Sequence, residues 1–498
     1  MNLKNKFTQA NIRKPYSILL PMLAFFATLV LLLILFLLNN QHILRSSWLA
    51  VSASTSIVTL SLSLLLLTAL PFFIGRRFDH FDWFSFIYLA AASYALHFAF
   101  RSFYILANPS AIMGSLRYWE TFSKALLYTS LGFTSLLLGY YLPLAPKIAN
   151  ALPPLPFKWP AVPNLFKILL LYVLGFLGRW LNSLQILPPS FSYYPIALSK
   201  LTTYALILIA IYAFVYSPLQ RWFRLALLLA LPLQILYALV WGNGKFELIL
   251  PILILLMCQH YLNRPLRPRH LILAILFILL IIFPVIGVFR NLPPSDFITR
   301  STQTLDYLST LSPSDYLNLA LNFVMIRSHL LDSFAVIIYS FPANYLGIAD
   351  YLLIPAYAFV PRFIWPSKPI QLGSKFAQNY FDVAGPTSFA ISTPADLYQH
   401  GGLFAVIIGL YLFGLFYRFA HSYFIKQSAT FKSPQRLPHL FFYFIFFINF
   451  YLIFETELTT GIIELLKQLL FATLIAIYLK TWFIKPALPT SGTRLPSQ

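Results

Sequence analysis

The sequence predicts an all-α polytopic integral membrane protein, and three observations carry that expectation. Only 10% of the residues are charged, against roughly 25% in an average globular chain, and the mean hydropathy is +0.75. Apolar runs long enough to cross a bilayer recur along most of the 498 residues. One region, 290–401, breaks that rhythm with polar, turn-rich and aromatic sequence. Within it, the stretch from Pro355 to Gly402 carries Arg362, Lys368, Lys375, Asp382 and Asp396 together with six prolines and four glycines, a composition that lipid would not accommodate.

The chain opens on a basic segment with no acid, then an apolar run at 17–38 that is too long for a signal-peptide core and lacks a small-residue cleavage site. Further apolar runs lie near 49–74, 83–100, 123–143, 166–187, 197–217, 225–241, 246–262 and 271–289, and three more near 402–420, 440–456 and 461–480. About twelve transmembrane helices are therefore expected. They divide the chain into 1–289 with nine spans, 290–401 as one large external loop with amphipathic helices, and 402–498 with three spans and a cytosolic tail. The segment 150–164 reads as a proline-rich cytosolic linker. A single cysteine, Cys258, excludes an intrachain disulfide framework and a cysteine-based zinc site.

Basic residues resist translocation, so their distribution sets orientation. With the N-terminus inside, the inner loops and tails collect 21 of the 35 basic residues but only Asp79 and Asp82 of the 14 acids. The inner side then carries +19 and the outer side +2, so topology accounts for the net charge of +21 and no nucleic-acid partner is needed. Residues 315–341 form an apolar helix with Arg327, His329 and Asp332 in its middle, where ionisable groups are costly. That helix, and the shorter segment from Tyr351 to Ile364, are expected to lie on or dip into the outer face. Ser312, Pro313, Ser314 and Asp315 form a start signal for the first. Thr393, Pro394, Ala395 and Asp396 repeat that signal for a helix expected to run straight into the span at Gly402, with an outward-pointing N-terminus suited to an anion.

The succession Pro361-Arg362-Phe363-Ile364-Trp365-Pro366-Ser367-Lys368-Pro369, followed by Gly373, Phe376, Tyr380, Ser392-Thr393 and the step from Asp396-Leu397-Tyr398 to Gly402, resembles the Wzy-type oligosaccharide repeat-unit polymerases of O-antigen and exopolysaccharide synthesis. Ser367 replaces the acid of that pattern, Ala395-Asp396 its Gly-Glu and His400-Gly401 its Asn-Phe; the match covers about 50 residues. The resemblance implies a GT-C-like membrane glycosyltransferase, multi-pass in the bacterial cytoplasmic (inner) membrane with both termini cytosolic. It implies undecaprenyl-diphosphate-linked oligosaccharides as substrates, polymerised at the outer face, and a chain-length regulator and flippase as partners. No cofactor is implied.

A diphosphate leaving group needs fixed cations, and arginine supplies a planar fork that stays charged. Arg362, Arg327 and Arg290, with Lys368 assisting, are the candidates for that clamp; the loop lacks the paired carboxylates of a metal-dependent solution. The bland alternatives are snorkelling anchors for Arg290 and Arg362 and an Arg327–Asp332 pair. Asp396 is either the base for an acceptor hydroxyl or a helix cap; His400, one turn further along the same face, is a substrate-binding candidate whose bland alternative is a polar residue at the membrane boundary. Trp365, Tyr380 and Tyr398 could stack on sugars or belong to an interfacial aromatic belt. Lys245, after the outward turn Gly242-Asn243-Gly244, and Arg179, inside a span near its outer end, are substrate-binding candidates; Glu247 or the lipid diphosphate would partner Arg179.

Two other functions stand beside this one: a ligase moving the finished glycan to another acceptor, which would look similar in sequence, and a flippase or other transporter, which would place its ionisable residues within the spans. The charge split yields a direct test of sidedness. Reporters active only outside the cytosol, fused after Asn291, Ser312 and Gly385, should all be active. Inactivity at Gly385 alone would mean that 315–341 crosses the membrane.

Overall fold

The computed structural model describes residues 49–77, 82–109, 121–157, 159, 164–184, 193–215, 219–240, 245–292, 297–341, 346–360, 364–365, 390–427, 429, 433–455 and 457–481. Every regular element among them is a helix. The helices are α1 (Leu49–Arg77), α2 (Phe86–Tyr94) continued by a π-helical turn (Ala95–Phe100) into α3 (Arg101–Ala107), α4 (Phe122–Tyr141), α5 (Leu144–Ala151), α6 (Leu165–Leu184), α7 (Tyr193–Phe214), α8 (Gln220–Val240) and α9 (Lys245–Cys258). Next come α10 (Pro268–Phe277), joined through a π-helical turn to α11 (Phe283–Asn291), then α12 (Phe297–Thr310), α13 (Pro313–Arg327), α14 (Leu330–Ser340), α15 (Ala349–Leu352), α16 (Ile354–Phe359), α17 (Thr393–His421), α18 (Ser433–Glu455) and α19 (Leu458–Thr481). The expected span at 17–38 lies outside the described residues; each of the others coincides with a helix or a continuous run of helices. Eight helices among the described residues are long and apolar enough to cross a membrane, nine if the pair α4 and α5, bent by 43°, is one span.

Lipid offers no hydrophobic drive for helices to associate, so close backbone approach has to do that work. The centre of the bundle shows it where α4 meets α17. A Cβ on Gly139 would lie 2.0 Å from the Tyr411 carbonyl oxygen, and one on Gly414 would lie 2.0 Å from that of Leu136. Only glycine permits this contact, and the two backbones touch there.

The loop between α1 and α2 marks one end of the bundle. Asp82 accepts hydrogen bonds from the Phe84 backbone N–H (3.0 Å) and the Tyr261 hydroxyl (2.9 Å), and lies 3.2 Å from His260 Nε2 and 2.8 Å from His421 Nε2. His260 Nδ1 accepts from the Leu266 N–H, which leaves its proton on Nε2, facing Asp82. Burial alone would raise the Asp82 carboxyl, but the hydrogen bonds from His260 and His421 outweigh it and hold the group well below the usual carboxylate range. At this same end the proline-rich segment is docked rather than a free linker: Pro153 accepts from the Tyr423 hydroxyl, the Leu155 N–H donates to His439 Nε2, and Trp159 is buried against Phe441.

At the opposite end, expected from the charge distribution to be the outer one, the single helix anticipated at 315–341 is two. Ser312 caps α13 as its sequence signal predicts, accepting from the Asp315 N–H at 3.2 Å, but α13 ends at Arg327 and α14 starts at Leu330. The break lets Arg101 serve both helices. Its Nη1 donates to the Met325 carbonyl at 3.0 Å, and its Nε and Nη2 donate to Asp332 at 3.1 and 2.6 Å in a fully buried bidentate pair. Asp332 is therefore paired with Arg101, and the Arg327 side chain lies outside the described residues.

Pro313–Ser340 passes the length and hydropathy test for a span, and several of its contacts fall where other helices begin. Ser333 donates to the Ala390 carbonyl, Thr121 at the start of α4 donates to that of Ala335, and the Phe341 ring sits 4.9 Å from that of Tyr398. α13 dips lower: the Tyr316 hydroxyl donates to the Leu280 carbonyl, which precedes Arg290 by ten residues, or about 15 Å of helix. α15 and α16 are two short turns across the same end. α17 does not run straight. It breaks at Gly401 and Gly402, the latter at φ 64°, a conformation that favours glycine.

Candidate functional site

The break in α17 separates its membrane-crossing part from an outer segment, and residues 391–400 of that segment are all buried. Its cap is Ser392, one residue before the expected Thr393, whose hydroxyl accepts from the Ala395 N–H. Asp396 is thus free of capping its own helix. Its Oδ2 instead accepts from the Thr459 backbone N–H at 3.1 Å, in the first turn of α19, where a negative charge meets unpaired amides and the positive end of the helix dipole. Its Oδ1 lies 3.0 Å from His400 Nδ1, which is also 2.8 Å from the Asp396 carbonyl oxygen. The i,i+4 spacing read from the sequence brings the two side chains into contact. Asp396 thus caps a different helix through Oδ2, while its Oδ1 lies beside an imidazole whose Nδ1 is hydrogen-bonded to the Asp396 backbone carbonyl.

Tyr351 covers this pair, with its ring centroid 4.4 Å from that of His400. Burial pushes its phenol well above the ordinary range, and the carboxylates of Asp396, Asp350 and Glu457 push in the same direction, so it stays protonated and a donor. That hydroxyl is buried and has no hydrogen-bond partner among the described residues. The Leu346 N–H donates to the Gln399 carbonyl and ties the segment before α15 to α17. The arrangement unites an imidazole, a carboxylate and a buried hydroxyl, groups able to take part in proton transfer to or from a hydroxyl. Among the described residues no cluster of three or more His, Cys, Asp or Glu is arranged to hold a metal ion.

Tyr398 points into an aromatic cluster with Tyr128 (5.5 Å, stacked), Phe334 and Phe341, so its ring is committed to packing. Trp365 lies 5.5 Å from Tyr357 and is half-buried. Arg290 is exposed in the last turn of α11. Arg327 closes α13 and Lys245 opens α9; the side chains of both, and Arg362, Lys368 and Tyr380 altogether, lie outside the described residues. Arg179 is buried: its Nη1 donates to Gln234 Oε1 at 2.8 Å and lies 3.3 Å from Glu247 Oε2, the first of the two partners expected for it.

Two constellations escaped the sequence reading. The Arg101–Asp332 pair had a usable signal, since a basic residue ending one apolar run and an acid inside another both demand partners. The histidines around Asp82 had none, because nothing local distinguishes His260 or His421 from other polar residues at the ends of apolar runs.

No protein-family model, curated protein or solved structure matches the chain. The local geometry makes its own prediction. Asp396→Asn keeps the shape but loses the charge that holds His400 and the start of α19. Hydrogen bonds to charged groups contribute about 1.5–3 kcal/mol, so the thermal midpoint in detergent should fall accordingly. An unchanged midpoint would show that this carboxylate does not join α17 to α19.

Proposed function

We propose that the chain is a GT-C-type glycosyltransferase with about twelve spans, acting at the outer face of the bacterial cytoplasmic membrane. It polymerises undecaprenyl-diphosphate-linked oligosaccharide repeat units into O-antigen or exopolysaccharide. The observation that carries this reading is the buried Asp396–His400 pair under Tyr351. It falls where the family resemblance expects an acid, at the start of the helix that follows the Pro361–Pro369 motif.

In the proposed reaction an acceptor sugar hydroxyl attacks the anomeric carbon of the growing glycan. The bond from that carbon to the diphosphate oxygen breaks, and undecaprenyl diphosphate leaves with the electron pair. The hydroxyl proton passes to His400 Nε2, whose Nδ1–H is held by Asp396. Negative charge grows on the leaving diphosphate, and Arg362, Arg327 and Arg290, with Lys368, are the cations assigned to it. Substrate reaches the pair when α15 and α16 shift and lift Tyr351 from His400.

The test falls on Arg362, which Pro361 and Pro366 flank closely. Arg362→Lys keeps the charge and loses the bidentate fork. Loss of one preorganised donor lowers turnover by about 100 to 1,000 fold, roughly 3 to 4 kcal/mol. Polymer formed per enzyme should fall by that factor, in membranes matched for protein level, for both Arg362→Lys and Arg362→Ala. Near-normal polymer in the lysine variant would reduce Arg362 to an interfacial anchor, because lysine snorkels equally well.

A further inference from the structure

Two arginines are buried at the outer end, and they differ in how their guanidinium edges are used. Arg101 spends its side edge, Nε and Nη2, on Asp332. Arg179 spends Nη1 on Gln234 and Glu247, while its Nε is buried without a hydrogen-bond partner among the described residues. Beside it Gln234, 1% exposed, accepts from Arg179 through Oε1 and has its Nε2 buried and unpartnered as well. Buried donors without partners are rare because each forfeits its hydration. Here one of them belongs to a cation that is 4% exposed and stacked 4.7 Å above the Tyr237 ring, and the other adjoins it. Such a set suits an oxyanion.

The one acid in contact is loosely held. Glu247 lies 3.3 Å from Arg179, longer than a good charge-assisted bond, and its side chain is 35% exposed. It sits in the first turn of α9, so swinging away from Arg179 leaves it beside a helix N-terminus that favours negative charge. The approach is apolar: Leu177 and Trp180 on α6, and Leu233 and Leu236 on α8, are exposed around the cluster. A ligand arriving there carries hydrocarbon.

We propose that Arg179, Gln234 and the start of α9 bind the phosphate of a lipid, which displaces Glu247 from the guanidinium. The shared chemistry is a phosphate oxygen on an apolar tail, from an ordinary phospholipid or from a polyprenyl diphosphate. The site does not depend on the glycosyl-transfer reading.

The experiment uses full-length protein in dodecyl maltoside and phosphate-free buffer, titrated with phosphatidylglycerol, geranylgeranyl diphosphate or inorganic diphosphate while the thermal midpoint is followed. At least one lipid probe should raise the midpoint. Arg179→Gln should weaken that response by about tenfold or more, whereas Glu247→Gln, nearly isosteric and without the competing charge, should strengthen it. If Arg179→Gln does not fold, Gln234→Met replaces it and must weaken the response. A response to geranylgeranyl diphosphate and not phosphatidylglycerol assigns the carrier; the reverse assigns a phospholipid. Inorganic diphosphate binding as tightly as either lipid overturns the lipid assignment. No response that depends on Arg179 or Gln234, or no gain in Glu247→Gln, overturns the site and leaves a structural ion pair.

Discussion

A carboxylate buried in an apolar bundle must find its donors within the chain, and Asp396 shows how far that requirement reaches. One oxygen takes a backbone amide at the start of α19 and the other faces His400. The outer ends of α17 and α19 are thereby fixed against one another. Gly401 and Gly402 then turn the rest of α17 into the bundle, where Gly414 meets α4 backbone to backbone. Tyr398, on the same outer segment, closes an aromatic cluster that reaches α4 and α14. Replacing a buried ion pair with apolar side chains is often neutral for stability. What these groups supply is a single arrangement.

The same rule governs the other buried charges. Asp332 is matched by both nitrogens of the Arg101 side edge, and Asp82 by two imidazoles, a phenol and a backbone amide. Each joins helices far apart in sequence: Arg101 and Asp332 are 231 residues apart, Asp82 and His421 are 339 apart. Arg179 departs from the pattern: among the described residues its Nε and the Nε2 of Gln234 lack hydrogen-bond partners, and these unmatched donors distinguish a candidate ligand site from a finished structural pair.

Much of the architecture was legible because hydropathy acts locally. The run at 123–143 became Phe122–Tyr141 and the run at 461–480 became Leu458–Thr481. The Ser312 cap was legible for the same reason, since its signal lies within four residues. The α13–α14 break was not, because it depends on Arg101, and the α17 kink was not, because consecutive glycines permit a turn without requiring one. At the site, the i,i+4 relation of Asp396 and His400 could be read from spacing. Their partners Thr459 and Tyr351 are set by tertiary packing, which no local pattern encodes.

In the function proposed above, this chain would lengthen a lipid-linked glycan after its units have crossed the membrane. The most direct measurement compares lipid-linked glycans in cells with and without the protein, resolved by membrane leaflet. Loss of the protein should leave carriers bearing single repeat units on the outer leaflet and abolish long polysaccharide. Single units confined to the inner leaflet, or polymer of normal length, would contradict the account.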